Sequence, residues 1–363
     1  MTKVVFLILL MSIGACRPTY ETIPLTQRVD SLPFNQASYA DFQANLSCAY
    51  QESFKEKVIQ TNDSCRLYTR QMGEGDPILF IHGGWGHELS PLYSAFRKLQ
   101  ANHKLIFYDQ RGSLRSFCQN PEVISVSNHV KDLETIRKNL GLDSFSIIAH
   151  SMGGYLAMKY LQQYGDEHLN QVIMLSTLPP KFELGKFNQY SKQARSRWKR
   201  PATKKLLNKY GLEQELKAEY SQKESGIWQR ITFASINLHN LDRWNWFKGA
   251  FSYNRIAGTQ TNFSMERGFK CPDFFPIALN LVCLKIDNWL FRSFDFRPTL
   301  AETDVPVTFI HGTDDFIPVS IHTDVMKEAP NYTLKVVKDA GHVMWVDQPE
   351  VVTELIPKLL KIN

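Results

Sequence analysis

The sequence predicts an α/β protein in which a mostly parallel sheet is flanked by helices and interrupted by a large helical insertion. Short apolar runs alternate with helical patterns in residues 56–177, which is typical of a sheet covered on both faces. The alternation stops in residues 178–299, where helical periodicity and dense aromatics replace it, and resumes in residues 300–363. The insertion is expected to form a helical lid over the strand ends, where ligands of open α/β sheets bind.

The strands are predicted from apolar runs that are bounded by turn residues. A hairpin is expected around Asn62–Ser64, and a helix through Leu133 is expected to stop at Gly141. The expected buried strands are "ILFIH", "KLIFYD", "FSIIA" and "QVIMLST" before the insertion, and "VPVTFIHG" and "YTLKVVKDAGH" after it. With 363 residues and 43% hydrophobic content, the chain can bury a core of this size.

Ser151 lies where a predicted strand runs directly into a predicted helix. Phe145–Ala149 is a short apolar run, and the residues after Ser151 have helical periodicity up to Gly165. In a G-x-S-x-G elbow, such a turn holds a nucleophilic hydroxyl clear of the backbone, and the helix N-terminus faces the developing oxyanion. Ala149 stands at the first glycine position. Ser151 is therefore the predicted nucleophile, and the backbone N–H of Met152 is a predicted oxyanion donor.

Acids and a histidine follow Ser151 in the chain order that this elbow requires. "FIHGTDDFIP" places Asp314 and Asp315 directly after one apolar strand, and "VVKDAGHVMW" places His342 after the next. Strand ends of a parallel sheet meet at one edge, so these side chains are expected to lie together. Ser151, His342 and one of the two acids are predicted to form a catalytic triad.

These segments resemble the α/β-hydrolase fold family, and most of all its proline iminopeptidase branch, peptidases that remove N-terminal residues. "HGGWG" (His82–Gly86) resembles the HGGPG loop of that branch, with Trp85 in place of proline. "DQRGSLRS" (Asp109–Ser116) resembles its DQRGSGRS segment, with Leu114 in place of glycine. The resemblance covers the core on both sides of the insertion and implies a hydrolase.

The resemblance also implies roles for residues of the core. The family's G-x-x-D spacing from Gly312 indicates Asp315 as the triad acid, whereas the distance to Pro318 favours Asp314, so Asp315 is preferred and both stay open. Gly84 is expected to supply a second oxyanion N–H. Three further side chains are expected to brace the loops rather than react: His82, Asp109 and Arg111.

The insertion departs from the branch where the substrate would be bound. In iminopeptidases a Trp-Glu pair and other lid acids hold the substrate's α-ammonium, but the nearest counterpart here, "WNWFKG", lacks an acid. Trp85, Trp244 and Trp246 are instead predicted to contact substrate and to favour apolar groups. An ammonium site would need Glu88 or another acid of the lid, because a buried ammonium without a carboxylate is costly.

The sequence thus predicts a serine hydrolase that acts on small amides or short peptides. A carboxylesterase for small apolar esters, and a binding protein that kept the fold but lost turnover, are the alternatives. The proposed chemistry needs no cofactor, and no C-x-x-C or His-rich cluster favours a metal. A net charge of +6 without a stripe of basic and aromatic residues argues against nucleic acid as a partner.

The N-terminus has the pattern of an export signal. Lys3 precedes an apolar run that ends at Ile13 and is shorter than the about 20 residues that span a bilayer. The following "IGAC" resembles the lipobox of bacterial lipoproteins. We therefore expect a signal peptide in residues 1–15, a lipid on Cys16, and a tether and N-terminal extension in residues 16–55. The mature chain would be a membrane-anchored lipoprotein of the bacterial cell envelope, with ordinary cleavage near Ala15 as the alternative.

The other cysteines are candidates for disulfides. The sequence has six cysteines, five of them outside the lipobox, and an exported chain can form disulfides. Neighbouring cysteines along the chain are Cys48 with Cys65 and Cys271 with Cys283, which leaves Cys118 over. Spacing alone does not fix the connectivity.

Overall fold

The structure is a computed structural model that describes most of the core and part of the insertion. It covers residues 54–84, 88–113, 115–116, 118, 123–181, 184–215, 217, 219–220, 222–247, 294–323 and 332–360. The predicted signal peptide, the lipidation candidate Cys16 and Trp85 lie outside these ranges. Within them, no helix has the length and apolar character needed to cross a membrane.

Eight strands form one mixed sheet, which confirms the predicted fold class. Their order across the sheet is β1-β2-β4-β3-β5-β6-β7-β8, with β1 and β2 antiparallel at one edge and every pair from β4 to β8 parallel. The strands are β1 (Lys55–Gln60), β2 (Arg66–Met72), β3 (Asp76–Ile81), β4 (His103–Tyr108), β5 (Phe145–His150), β6 (Leu169–Leu175), β7 (Val307–Gly312) and β8 (Tyr332–Val337).

The helices connect the strands and fill the described part of the insertion. They are α1 (Ser90–Phe96), α2 (Val126–Leu140), α3 (Met152–Tyr164), α4 (Leu184–Trp198), α5 (Pro201–Lys209), α6 (Gln222–Asn237), α7 (Arg297–Glu302), α8 (Ser320–Thr323), α9 (Met344–Asp347) and α10 (Ile356–Leu360). Short 3₁₀ turns follow α1 and α6, and a π turn precedes α10.

Local sequence signals explain where the core elements begin and end. The Ser125 side chain caps the N-terminus of α2 by accepting from the Asn128 N–H, and Gly141 ends this helix at a left-handed φ of 62°. Every residue of β5 and of β7 is buried, as expected for strands with helices on both faces. The apolar runs of the sequence are therefore the centre of the sheet.

The structure pairs two cysteines whose connectivity the sequence left open. Cys65 bonds to Cys118, across an antiparallel bridge between the end of the β1–β2 turn and the loop after β4, with the two Cα atoms 4.1 Å apart. Both residues are buried together with Ile124. Cys48 lies outside the described residues. The pairing follows from the return of the chain after β4 to the hairpin, which chain spacing does not record.

The described part of the insertion packs as a small helical layer whose aromatic residues continue the core of the sheet. Trp198 at the end of α4 meets Trp228 of α6 edge to face, with ring centroids 5.5 Å apart. Arg197 of α4 ties this layer to the sheet by donating to the Asp314 carbonyl oxygen and to that of Leu238. The insertion therefore touches the loop that follows β7.

Candidate active site

The residues predicted to react follow strands that end at one edge of the sheet. Ser151 follows β5, Asp315 follows β7 and His342 follows β8. The strand order reverses at β3, whose neighbours are β4 on one side and β5 on the other. A ligand crevice is expected at such a switch point, outside the carboxyl ends of the strands.

Ser151 occupies a strained turn between β5 and α3. Its φ of 53° and ψ of −118° lie in a region that residues with a Cβ rarely adopt. Three hydrogen bonds stabilise the turn: the Ser151 N–H donates to the Leu175 carbonyl, and its own carbonyl accepts from the Gly154 N–H and the Thr177 hydroxyl. The surrounding backbone therefore enforces the conformation that presents the hydroxyl.

Small residues let the chain segments approach one another around this turn. A Cβ at Gly153 would clash with the Ile81 carbonyl oxygen, and a Cβ at Gly83 would lie 2.9 Å from the Cβ of Ser151. Ala149, by contrast, sits fully buried within β5 beside Ile81 of β3. The motif tolerates alanine there because that position belongs to the strand and not to the crossing of strand and helix.

The three predicted triad side chains form a continuous hydrogen-bonded series. The Nε2 atom of His342 lies 2.9 Å from Ser151 Oγ, and its Nδ1 atom lies 2.9 Å from Asp315 Oδ1 and 3.0 Å from Oδ2. Because a carboxylate can only accept, Nδ1 carries the hydrogen and Nε2 presents its lone pair to the serine hydroxyl. This tautomer is the one that a general base toward Ser151 requires.

Of the two candidate acids, the structure brings Asp315 to His342. The side chain of Asp314 points elsewhere: its Oδ2 atom lies 2.6 Å from Nδ1 of His239, at the surface. Asp339 joins this pair, so that His239, Asp314 and Asp339 place possible metal-ligating atoms within 4.8 Å of one another. The hydrogen bond between His239 and Asp314 accounts for two of these three groups without a metal.

Asp315 remains ionised although it is nearly inaccessible to water. Burial alone would raise its pKa, but the neighbouring His342 and His311 and hydrogen bonds from His342 and the Ile317 N–H lower it to about 2. The carboxylate can therefore orient His342 and stabilise a positive charge on that ring at any pH near neutrality.

The predicted oxyanion donors lie in loops that follow adjacent strands. Met152 is the first residue of α3, so its N–H has no acceptor inside the helix. Gly84 follows β3, is half-buried and has a φ of 57°; its neighbour Trp85 lies outside the described residues. Because β3 and β5 are paired in the sheet, the two loops that carry these amides are neighbours.

His82, Asp109 and Arg111 hold loops together, as expected of bracing residues. His82 Nε2 accepts from the Gln110 N–H at 3.0 Å, and the Asp109 carboxylate accepts from the Leu89 N–H and from Arg115. Arg111 forms a bidentate pair with Asp132, with its Nη2 and Nε atoms 2.5 and 2.7 Å from the carboxylate oxygens. The contacts of His82 and Asp109 fix the loops after β3 and β4 against each other, and Arg111 joins the loop after β4 to α2.

The aromatic residues predicted to contact substrate have different surroundings. Trp244 is buried and packs edge to face on Tyr210 inside the insertion. Trp246 is 49% exposed, with the Arg243 guanidinium 4.8 Å from its ring centroid. Arg243 donates to the carbonyl oxygens of Val346 and Asp347, so this segment lies over the loop that carries His342.

His150 is a site residue to which the sequence analysis assigned no role. Its Nε2 atom lies 3.0 Å from the His342 carbonyl oxygen, and its ring lies 4.9 Å from the His342 ring and 4.8 Å from that of Trp345. Its only sequence signal was its position directly before Ser151 at the end of a buried strand. It links the nucleophile turn to the backbone of the catalytic histidine.

Comparison with known proteins agrees with this architecture. The family model of the alpha/beta hydrolase fold matches residues 76–349. The chain is 25% identical over 302 residues to the non-heme chloroperoxidase of Kitasatospora aureofaciens, covering 78% of this chain and 91% of that one. It is 25% identical over 320 residues to the proline iminopeptidase of Xanthomonas citri, covering 84% of this chain and 95% of that one.

A solved structure of similar shape is the esterase of Exiguobacterium antarcticum. It superposes with a TM-score of 0.58 at 18% identity and covers 85% of this chain and 100% of that one. At this identity the likeness shows the fold alone. Proteins named for different reactions thus resemble this chain over nearly their whole length.

The low pKa of Asp315 predicts how stability depends on pH. The native pKa of about 2 lies below the unfolded pKa of about 3.9, so this carboxylate contributes about 3 kcal/mol to stability above the unfolded pKa. The contribution is lost as the pH falls toward 2. We expect the difference in unfolding free energy between the native chain and Asp315→Asn to shrink between pH 5 and pH 3. Urea unfolding of both proteins at pH 5 and pH 3 measures this difference. The other acids are the same in both proteins, so their contributions cancel. A difference that stays constant would contradict an ionised Asp315.

Proposed function

This chain belongs to the alpha/beta hydrolase fold family, and from that premise we propose that it is a serine hydrolase that cleaves small amide or ester substrates. The observation that carries the proposal is the series Ser151–His342–Asp315, with both hydrogen bonds at 2.9 Å and the nucleophile on a strained turn. Such an arrangement has no evident role in packing a core, since a strained and polar turn costs stability.

The geometry supports acyl transfer in two steps. Ser151 Oγ attacks the substrate carbonyl carbon while His342 Nε2 takes the hydroxyl proton, and His342 then gives that proton to the leaving nitrogen or oxygen. The resulting acyl-enzyme is hydrolysed when His342 takes a proton from water, the hydroxide attacks the acyl carbon, and the proton returns to Ser151. Asp315 stays ionised and orients the ring throughout. The N–H groups of Met152 and Gly84 are the proposed donors to the oxyanion.

Carboxylates near this edge of the sheet support a substrate without a free amino group. Glu88, which the sequence offered as an ammonium partner, accepts from Ser90 and forms a buried ion pair with Arg115. Asp314 is paired with His239, and Asp347 accepts from the N–H groups of the insertion and of Gly341. Since each of these acids already has partners, recruiting one of them for an ammonium would break existing contacts.

Two substrate classes therefore follow from different observations. The iminopeptidase of Xanthomonas citri supports amides and short peptides, which we take as the leading class. The existing contacts of the nearby carboxylates Glu88 and Asp314 support neutral acyl compounds as substrates, including small apolar esters. The two classes share the acyl-enzyme step and differ in the leaving group.

We further propose that the chain is exported and anchored to the bacterial cell envelope by a lipid on Cys16. The short apolar run before "IGAC" supports export. The buried disulfide between Cys65 and Cys118 also supports it, because such bonds persist in oxidising compartments.

Removal of the nucleophile tests the proposed function. We expect Ser151→Ala to abolish labelling by a fluorophosphonate probe and to lower hydrolysis of aryl esters by at least about a thousandfold. Asp315→Asn should lower kcat far more than the neighbouring Asp314→Asn, which serves as the matched control because its carboxylate pairs with His239. Hydrolysis that survives Ser151→Ala would place the chemistry elsewhere, and a larger loss in Asp314→Asn would reverse the assignment of the acid.

Blocking the substrate's amino group tests the proposed substrate class. We expect an alanyl or prolyl arylamide and its N-acetyl form to differ by less than about tenfold in kcat/KM, equivalent to about 1.4 kcal/mol. The kcat/KM of a short-chain aryl ester in the same assay shows whether esters are better substrates than amides. A preference of several hundredfold for the free amine would show an acidic anchor for the ammonium and would restore an iminopeptidase.

The lipid anchor has its own test in cells. We expect Cys16→Ser to move the protein from the membrane fraction to the soluble fraction, because the lipid is the proposed attachment. Mass analysis of the native mature chain should find an acylated N-terminal cysteine. A soluble, unmodified chain that begins near Ala15 or Cys16 would show ordinary signal cleavage instead.

A further inference from the structure

A second series of buried polar side chains continues beyond Asp315. His311 is the next-to-last residue of β7, His322 lies in α8, and Tyr332 begins β8. His311 Nδ1 lies 2.9 Å from His322 Nε2, and His322 Nδ1 lies 2.5 Å from the Tyr332 hydroxyl. Both histidines are fully buried and Tyr332 is 6% exposed. We call these three residues the His311 relay.

The relay meets the triad at the acid. His311 Nε2 lies 2.6 Å from the Ile317 carbonyl oxygen and 3.4 Å from Asp315 Oδ2. The Ile317 N–H in turn donates to Asp315 Oδ1 at 2.9 Å. One ring nitrogen of His311 therefore faces both the carboxylate and the turn that positions it.

The neighbours of the relay fix the positions of its hydrogens. Nε2 of His311 faces a carbonyl and a carboxylate, which only accept, so it carries the hydrogen and Nδ1 is left as an acceptor. His322 must then donate from Nε2 to His311 and accept at Nδ1 from the Tyr332 hydroxyl. Burial lowers the pKa of both histidines, which agrees with two neutral rings. Tyr332 thus donates to His322, His322 to His311, and His311 to the Ile317 carbonyl in the turn that follows Asp315.

Packing alone does not account for this arrangement. Three apolar side chains of similar shape would fill the same space without any polar atom to satisfy, and such replacements are often neutral for stability. Asp315, in contrast, is an ionised group in a buried place and benefits from every donor aimed at it. The hydrogen bonds of the relay end at the turn that holds this carboxylate, and His311 Nε2 lies 3.4 Å from it.

We propose that His311 is a positioning residue for Asp315, and that His322 and Tyr332 support it by fixing its tautomer. This inference rests on the proposed serine-hydrolase chemistry. His311 acts through Asp315: its N–H holds the Ile317 carbonyl, and with it the turn whose N–H binds Asp315 in the orientation that His342 needs. Loss of that N–H slows the attack of Ser151 and leaves substrate binding unchanged.

The test compares two replacements of His311 that differ in polarity. Glutamine at 311 keeps both functions, since its amide can donate toward Ile317 and Asp315 and accept from His322, whereas leucine keeps only volume. The readouts are the maximal rate and the half-saturating concentration of fluorophosphonate labelling, together with the low-field proton resonance of the His342–Asp315 hydrogen bond. Asp315→Asn gives the reference for full loss of the acid.

We expect His311→Leu to lower the maximal labelling rate by about 10- to 100-fold and to shift or remove the low-field resonance, with half-saturation within about twofold. His311→Gln should stay within about threefold of the native rate. Equal losses in the two variants, or an unchanged rate in His311→Leu, would overturn the proposal. Thermal unfolding of each variant separates lost stability from lost rate, because a purely structural role would lower the melting temperature and leave the rate per folded molecule unchanged.

A second pair of variants decides the case if His311→Leu does not fold. His322→Leu removes the donor that fixes the tautomer of His311, whereas His322→Gln preserves it, so the leucine variant alone should label more slowly and show the shifted resonance. Equal rates in this pair would overturn the role of the relay. If the native protein and Ser151→Ala label alike, the proposed hydrolase is wrong, and the resonance still reports whether His311 positions Asp315.

Discussion

An ionised carboxylate buried at the end of β7 constrains much of the molecule around it. Water cannot compensate the charge of Asp315, so protein groups must do so. The Ile317 N–H, the His342 ring and His311 all face this carboxylate, and they come from the turn after β7, the loop after β8 and β7 itself. The two neighbouring strands must therefore end in register for the charge to be stable.

The insertion takes part in the same constraint. Arg197 of α4 donates to the carbonyl oxygen of Asp314, directly before the acid. Asp347 accepts from the N–H groups of His239 and Asn240 in the insertion and from that of Gly341, directly before the catalytic histidine. The insertion, predicted to be a lid, thus also fixes the backbone beside Asp315 and beside His342. Changes in the insertion can therefore alter the reaction rate as well as the choice of substrate.

The core could be predicted from the sequence because its signals are local. Several details could not be predicted, since they depend on contacts between residues far apart in the chain. Apolar runs and the order of Ser151, the paired acids and His342 along the chain were enough to predict the strands and the edge at which these residues meet. The choice between Asp314 and Asp315 needed the turn at Ile317, whose amide holds only one of them. The His311 relay was not found, since a lone histidine in an apolar strand looks like an ordinary core residue, and its partners lie 11 and 21 positions further along the chain. The Cys65–Cys118 bond could not be chosen from the sequence, because hydrophobic periodicity does not show which strands and loops lie side by side.

The triad residues determine the type of reaction more closely than they determine the substrate, for a geometric reason. Proton transfer at His342 Nε2 and charge stabilisation by Asp315 serve any acyl group whose carbonyl carbon reaches Ser151. Discrimination among acyl groups arises instead from the surfaces that surround that carbon. In the described part of the insertion, Trp244 is buried against Tyr210, whereas Trp246 is half-exposed beside the Arg243 guanidinium. Among the described residues, Glu88 already pairs with Arg115 and Asp347 already accepts from the Gly341 N–H, so recruiting either of them for a charged substrate would break an existing contact. Recognition through uncharged contacts would leave these contacts intact, and this is the physical basis for proposing neutral acyl substrates.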